Sequence, residues 1–289
     1  MHIHWFPGHM TKAIRMMEAE IKLVDSVIYV LDARAPLASI NPAFDAVIGH
    51  KPRLYVINKG DLVERAELLQ WVKYFEGEGV RCITANSVSK ADAPSIIKNL
   101  TELNAGLIER YRARGVTRTV RAMVIGVPNS GKSTLINSLV REKKAATGNR
   151  PGVTRGKQWV SIDRYIELLD SPGVLYPDFK DQKKAVKLAL IGSIKDDILD
   201  IGELALEAIK FLQAEYPNTL EGRYSGIDES GTPLEVMDGI AQLRGYLLRG
   251  GEIDYDRCAQ TIITDFRKGY LGKIILEKAS AVGQEEQKS

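Results

Sequence analysis

Cysteine is nearly absent. Two residues in a chain of 289 cannot build a disulfide framework, and neither Cys82 nor Cys258 has metal-ligand spacing, so both are read as reduced thiols. Long apolar runs are also missing. No stretch approaches the roughly 20 residues that cross a bilayer, and the first residues lack the apolar centre of a signal peptide. The expectation is a cytoplasmic protein with no membrane partner. Of the four histidines, His2 and His4 lie close together, but no further ligand follows at zinc spacing. There is no internal repeat. Hydrophobic residues make up 44% of the chain, enough for one full core and a smaller second one. The polar end, residues 283–289, reads as a disordered tail.

What is present is a set of phosphate- and base-binding motifs in an unusual order. The segment Gly126-Val-Pro-Asn129-Ser130-Gly131-Lys132-Ser133 fits the phosphate loop GxxxxGK[ST]. Its glycines let successive backbone N–H groups converge on phosphates without an obstructing Cβ, and the helix that follows offers its positive end. Lys132 is placed to reach the outer phosphates and Ser133 to hold Mg²⁺, with Thr134 next in the helix. Arg121 to Gly126 reads as a buried strand and Ser133 to Val140 as a helix, which is the context this motif requires.

About seventy residues earlier in the chain stands Asn58-Lys59-Gly60-Asp61, closing the apolar strand Arg53 to Ile57. Strand ends facing a crevice are where doubly wound sheets bind ligands. A carboxylate at Asp61 can accept from the ring N–H and exocyclic amine of guanine. Adenine offers no such pair, so the expected specificity is for GTP and GDP. Asn58 is expected to reach both base and phosphate loop, and the Lys59 stem to cover a ring face. A second strand, Val80 to Thr84, leads into Ala85-Asn86-Ser87, at the distance expected for a loop touching the guanine oxygen. A plain strand-to-helix turn explains that segment equally well.

Beyond the phosphate loop, Thr154 is the candidate switch hydroxyl for Mg²⁺, Asp170 its acidic partner through water, and Gly173 a backbone donor to the γ-phosphate. Position 174 is Val, which cannot orient a water molecule as glutamine does, so hydrolysis is expected to be slow without help. His9, in Trp5-Phe-Pro-Gly-His9-Met10, is a candidate for that task, because neutral imidazole accepts from water near pH 7. A surface histidine or a helix cap are its other readings.

These motifs, together with Asp32-Ala-Arg-Ala-Pro36, Pro151-Gly-Val-Thr154, Asp170-Ser-Pro-Gly173 and Asp265-Phe-Arg-Lys-Gly-Tyr-Leu-Gly272, resemble those of the bacterial ribosome biogenesis GTPase A family across nearly the whole chain. The resemblance implies a circularly permuted P-loop GTPase: a factor for late maturation of the large ribosomal subunit that binds the precursor and its rRNA with GTP, then leaves after hydrolysis. It makes the histidine matching His9 the water-positioning residue. Asn129 resembles the phosphate-loop asparagine of potassium-stimulated GTPases, which makes K⁺ a possible second cofactor. Two other readings stay open, a GTP-dependent binding module with incidental hydrolysis and a GTPase of tRNA modification.

Periodicity organises the rest. Met10, Ile14, Met17, Ile21 and Val24 recur at helical spacing before a strand that ends at Asp32-Ala-Arg34, whose arginine is read as structural. Alternating units continue to residue 178, giving an α/β GTPase domain (1–178) with a mostly parallel sheet. From 179 to 282 a small all-helical domain is expected, with stripes Ile201, Leu204, Ala205, Ala208, Ile209, Leu212; Val236, Ile240, Leu243, Leu247; and Ala259, Ile262, Ile263, Phe266, Tyr270. Residues 1–180 hold 26 Lys+Arg against 18 Asp+Glu, and 181–289 hold 14 against 19. On that acidic second half Arg267, Lys268 and Lys273 form a basic patch, read as an rRNA contact. Arg110, Arg112, Arg114, Arg118 and Arg121 form another cluster that could follow an RNA backbone. A monomer is expected away from the ribosome.

Overall fold

Seven consecutive buried residues, Ser-Val-Ile-Tyr-Val-Leu-Asp, make β1 (Ser26–Asp32) the central strand. A strand that is apolar on both faces needs cover on both, which parallel sheets obtain from crossover helices. The computed structural model describes residue 3 and residues 8–86, 90–147, 159–170 and 181–286. Before β1 comes α1 (Gly8–Glu20), and after it α2 (Pro42–Ile48), β2 (Arg53–Asn58), α3 (Arg65–Gly77), β3 (Arg81–Thr84), α4 (Ala93–Leu103), α5 (Ala105–Arg112), β4 (Val120–Ile125), α6 (Lys132–Thr147), β5 (Trp159–Asp163) and β6 (Ile166–Asp170). The sheet order is β3-β2-β1-β4-β6-β5. All pairings are parallel except that of β5 with β6. Sequence periodicity did not single out β5, an edge strand whose residues are mostly half-buried.

One face of the sheet carries aromatic rings. Tyr29 meets Phe44 and Tyr55, Tyr55 meets Phe75 edge-on, and Phe75 stacks on Trp71. The other face is aliphatic: Ile28, Val30, Leu54, Val56, Ala122 and Val124 pack with Ile96 and Leu100 of α4 and Leu135 and Leu139 of α6. Both faces are therefore dry, and the strand ends are left as the places where polar chemistry can stand.

A second compact unit comprises Asp178–Leu276 together with the first five residues, and Ile3 is buried in it with its N–H on Gln182 Oε1 at 2.8 Å. Its helices are α7 (Gln182–Leu190), α8 (Ile201–Glu215), α9 (Thr219–Arg223), α10 (Pro233–Arg244) and α11 (Tyr255–Lys268). Side chains of Asp181, Asp200 and Asp254 cap three of them, and Thr232 with Glu235 closes a capping box on α10. The α8 stripe is buried from Leu204 to Leu212, and so are Ala259, Ile262, Ile263 and Phe266 of α11. The α10 stripe differs from the sequence expectation. Val236, Met237, Ile240 and Ala241 face inward, whereas Leu243 and Leu247 are each 49% exposed; Leu247 lies past the end of the helix, which stops at Arg244 with Gly245 left-handed at φ 64°. Tyr270 is 55% exposed for the same reason: Gly269 at φ 75° ends α11 before the stripe reaches it.

The chain after Leu276 belongs with the sheet-containing unit. Residues 279–286 form α12 (Ala279–Glu286), which packs on α3, so helix continues four residues into the segment expected to be a disordered tail. Glu277 fixes its start. One carboxylate oxygen accepts the N–H groups of Leu37 at 2.7 Å and Ala38 at 3.1 Å, and its carbonyl accepts Trp71 Nε1 at 2.9 Å. The helical unit is thus an insertion between two segments of the sheet unit.

Within the helical unit the Asp265 carboxylate is buried and accepts Arg223 Nε at 2.7 Å and the Tyr224 hydroxyl at 3.0 Å. Burial pushes the Tyr224 phenol far above its ordinary range, and the nearby carboxylate adds to this. Asp265→Ala removes an acceptor from the buried Tyr224 hydroxyl and from Arg223, which remains about a third exposed. The expected loss is about 2 kcal/mol, read as a lower urea midpoint for the helical unit with guanine-nucleotide affinity unchanged.

Candidate functional site

The carboxyl ends of β1, β2, β3, β4 and β6 deliver the candidate residues to one edge of the sheet. Asp32 and Asn58 are direct register partners at the ends of β1 and β2. Gly126 follows β4, Ala85 follows β3, and Asp170 closes β6 opposite Val124 of β4. The two motifs far apart in sequence are joined by one buried hydrogen bond, Asn58 Nδ2 to the Ser130 carbonyl at 2.8 Å.

Glycine is required at 126. Its φ is 150°, and a Cβ there would lie 2.4 Å from the Val30 carbonyl oxygen, so any side chain would push the loop off β1. Asn129 and Gly131 also have positive φ, 58° and 94°, which turns successive N–H groups toward one concavity. The Lys132 ammonium is buried and donates to the carbonyls of Gly126 at 3.1 Å and Val127 at 2.9 Å. Ser130 Oγ donates to Val127 O at 2.9 Å. Ser133 and Thr134, in the first turn of α6, are exposed.

The base-reading loop is equally constrained. Lys59 is left-handed at φ 61°, and Gly60 N–H bonds Ala85 O at 3.1 Å while Ala85 N–H bonds Ile57 O at 2.8 Å. These bonds clip the Asn58-Lys59-Gly60-Asp61 turn to the segment after β3. There Asn86 N–H is held by the Asp92 carboxylate at 2.7 Å, a partner that nothing in the sequence motif indicated. Asp61 is exposed at the start of a single 3₁₀ turn, Gly60–Leu62. The sequence candidates Ser87, Thr154 and Gly173 lie outside the described residues, as does Val174; His9 and Asp170 are placed in α1 and β6 by their backbone alone.

The residue that sequence reasoning underrated is Asp32. It is fully buried, and its two oxygens accept Arg34 Nε at 2.9 Å, Arg34 Nη2 at 2.8 Å and Lys59 Nζ at 2.8 Å. Burial acts to raise its pKa, but the Arg34 guanidinium and the Lys59 ammonium outweigh it and hold the carboxyl far below the usual carboxylate range. Burial likewise opposes the Arg34 charge, and Asp32 with a smaller contribution from Asp61 more than restores it. The arginine is therefore structural, as its position suggested, and the aspartate aims Lys59.

Among the Arg267, Lys268 and Lys273 patch, Arg267 is spent inside the helical unit. Its Nη atoms grip Asp196 at 2.8 and 2.7 Å and it also donates to the carbonyls of Ala189 and Leu190. Lys268 and Lys273 are exposed, Lys268 lying over the Tyr270 ring at 5.8 Å.

A carboxylate whose folded pKa is depressed contributes stability above its ordinary pKa of about 4 and loses it as pH falls through the folded value. Asp32→Asn is therefore expected to cost about 3 kcal/mol, a deficit constant from pH 7 to about 4 and narrowing only in stronger acid. Urea unfolding of both proteins across that range checks it.

Comparison with known proteins places this geometry. Residues 121–216 match the family described as 50S ribosome-binding GTPase. Ribosome biogenesis GTPase A of Bacillus cereus is 41% identical over 286 residues, covering 99% of this chain and 97% of the relative. The protein of the same name from Thermotoga maritima is 30% identical over 274 residues, 95% of this chain and 94% of that one. The bovine mitochondrial ribosome-associated GTPase 1 is 33% identical over 308 aligned positions, 99% of this chain and 91% of the relative. Among solved structures, GNP-bound YlqF from T. maritima aligns with TM-score 0.64 at 27% identity, covering 93% of this chain and 98% of that one; a GDP-bound YlqF structure gives the same score and identity. With its phosphate loop in the middle of the chain, its base-reading strand before it, and both at one sheet edge, this protein is a circularly permuted P-loop GTPase and belongs to the ribosome biogenesis GTPase A family.

Proposed function

We propose that this GTPase acts in late maturation of the large ribosomal subunit, engaging the precursor and its rRNA in the GTP state and leaving after hydrolysis. The observation that carries the nucleotide half of this reading is the Asn58 to Ser130 bond, which makes base recognition and phosphate binding one rigid object. The particle half is supported by the likeness to a ribosome biogenesis GTPase A and to a mitochondrial ribosome-associated GTPase 1.

In this reading Asp61 recognises guanine, the Lys59 stem, aimed by Asp32, covers the ring, and Ala85, Asn86 and Ser87 line the base. The backbone from Asn129 to Thr134 cradles phosphates, and Lys132 exchanges two backbone carbonyls for phosphate oxygens of stronger charge. Ser133 is an exposed hydroxyl in the first turn of α6, and Asp170 closes the strand beside the loop. Hydroxyl and carboxylate oxygens suit a hard cation, so these two with Thr154 would hold Mg²⁺, which would supply charge neutralisation at the β- and γ-phosphates. Asn129 would take K⁺. Gly173 donates to the γ-phosphate. Val174 leaves the attacking water without a side-chain acceptor, and His9 supplies one, slowly until the particle orders it. Lys268 and Lys273 contact rRNA, with Arg267 holding α11 in place beneath them. The protein works as a cytoplasmic monomer between encounters.

The insertion of the helical unit gives the cycle a route. Its first tether follows the Asp170-Ser-Pro-Gly173 switch directly, and its second ends at Glu277, clamped to the loop after Asp32. Ordering of the switch by γ-phosphate acts on the first tether, so the helical unit responds to nucleotide.

Gradient sedimentation with large subunits tests the reading: co-migration is expected with a non-hydrolysable GTP analogue and not with GDP. Equal co-migration in both states, or in neither, refutes it. Asp61→Asn should weaken GTP at least about a hundredfold and favour XTP, whose 2-oxo group accepts from the new amide, as measured by competition binding. His9→Ala should lower particle-stimulated turnover about a hundredfold while leaving GTP affinity unchanged. Turnover equal in Na⁺ and K⁺ would remove the potassium assignment.

A further inference from the structure

At the end of the sheet opposite the nucleotide site lies a cavity of about 470 Å³, lined by Ile108, Arg112, Val116, Arg118, Tyr165 and neighbouring backbone. It forms where β4 and β6 begin, with Val120 N–H on Tyr165 O at 2.7 Å. Apolar side chains are presented to solvent here: Val116 is 50% exposed and Tyr165 40%. Two of the lining side chains are cationic, Arg112 and Arg118, and Arg114 follows two residues after Arg112. Arg118 is tied to Asp25 at 2.6 Å and lies over the Tyr111 ring at 4.6 Å, which makes it part of the wall. Arg121 is likewise occupied, by Glu167 and Trp159, and Arg110 donates to Gly106 O. Arg112 and Arg114 are exposed and have no side-chain partner among the described residues. Arg164 stands over the Tyr165 ring at 5.4 Å.

We propose that this cavity is a docking site for single-stranded RNA, taking one unstacked base against Tyr165 while Arg112 and Arg114 contact the flanking phosphates. An exposed aromatic ring beside uncommitted guanidinium groups is the combination that binds single strands, through stacking and phosphate contacts together. The cavity volume falls in the range of small-ligand pockets, so it accepts a planar heterocycle rather than only screening a backbone. A duplex keeps its bases stacked and has none to offer. The position leaves the nucleotide crevice free, so RNA and GTP can be held together. The assignment deepens the reading of a particle-bound GTPase and rests on it for its biological setting.

The test is fluorescence anisotropy of a labelled single-stranded RNA of about ten nucleotides with the full chain. Tyr165→Ala is expected to weaken binding about tenfold and Tyr165→Phe to preserve it. Arg112→Gln with Arg114→Gln should reduce the slope of log affinity against log salt by about 1.4, two phosphate contacts on a single strand. GDP affinity, measured in parallel, should be unchanged in every variant, which separates loss of the site from loss of the fold. Three results overturn the proposal: Tyr165→Ala binding RNA as the parent does, duplex RNA binding as tightly as the single strand, or polyglutamate displacing the RNA regardless of Tyr165, which would mark a site for acidic protein segments. The sedimentation result is independent of these. Nucleotide-dependent co-migration with an unaffected Tyr165→Ala removes only this site, whereas absent co-migration with Tyr165-dependent RNA binding removes only the ribosomal reading.

Discussion

The Asp32 carboxylate is the constraint around which the nucleotide end of this protein is arranged. It stands at the end of the central strand, between the strand that reads the base and the strand that carries the phosphate loop. A negative charge at 0% exposure is tolerable only with full compensation. The Arg34 guanidinium and backbone N–H and the Lys59 ammonium all donate to it. Compensation also ties the base-reading turn to β1, because Lys59, left-handed at φ 61°, holds its ammonium 2.8 Å from Asp32. The backbone N–H of Asp32 is held by Ser39 Oγ, which donates in turn to Ala35 O. The whole turn from 32 to 39 is thereby closed on itself, and Glu277 accepts from the N–H groups it leaves over.

Permutation changes which segments are continuous without changing which ends meet. What a P-loop GTPase needs is that several strand termini converge on one edge, and hydrogen-bonded register enforces that convergence irrespective of chain order. The Asn58 to Ser130 bond spans 72 residues here and does the same mechanical work in any order. Order does decide where the loose ends fall. In this chain they fall after the switch and at the start, and the helical unit occupies the first of these places before the chain returns at Glu277.

Much of this was legible because the motifs are local. Phosphate loop and base-reading turn each sit at a strand end that hydrophobic patterning announces, so their meeting could be inferred from the logic of parallel sheets alone. Long-range single contacts were not legible. No periodicity signals that Glu277 will bond residues 240 positions away, or that Asp92 will hold Asn86. Helix ends misled the stripe assignments: Leu247 and Tyr270 keep the spacing of buried residues but fall beyond a point where glycine releases the chain. Arg267 illustrates a third limit. It was read as part of a surface basic patch, yet a guanidinium long enough to reach the Ala189 and Leu190 carbonyls and the Asp196 carboxylate is not left as a plain surface charge.

The cost of permutation also explains where new surface arises. In the unpermuted order the ends of the domain would lie after β3 and its helix and before β4, and the chain must here bridge them. Residues 104–119 form that bridge, as α5 and the turn leading into β4. Being a connection rather than a core element, the bridge buries few side chains, and it carries four of the arginines that face solvent or the cavity wall. A splice free of packing demands can accept charge and exposed apolar atoms that a core helix could not. It is also as far from the phosphates as the length of the sheet allows, so a ligand held there neither competes with GTP nor depends on the switch residues for its contacts.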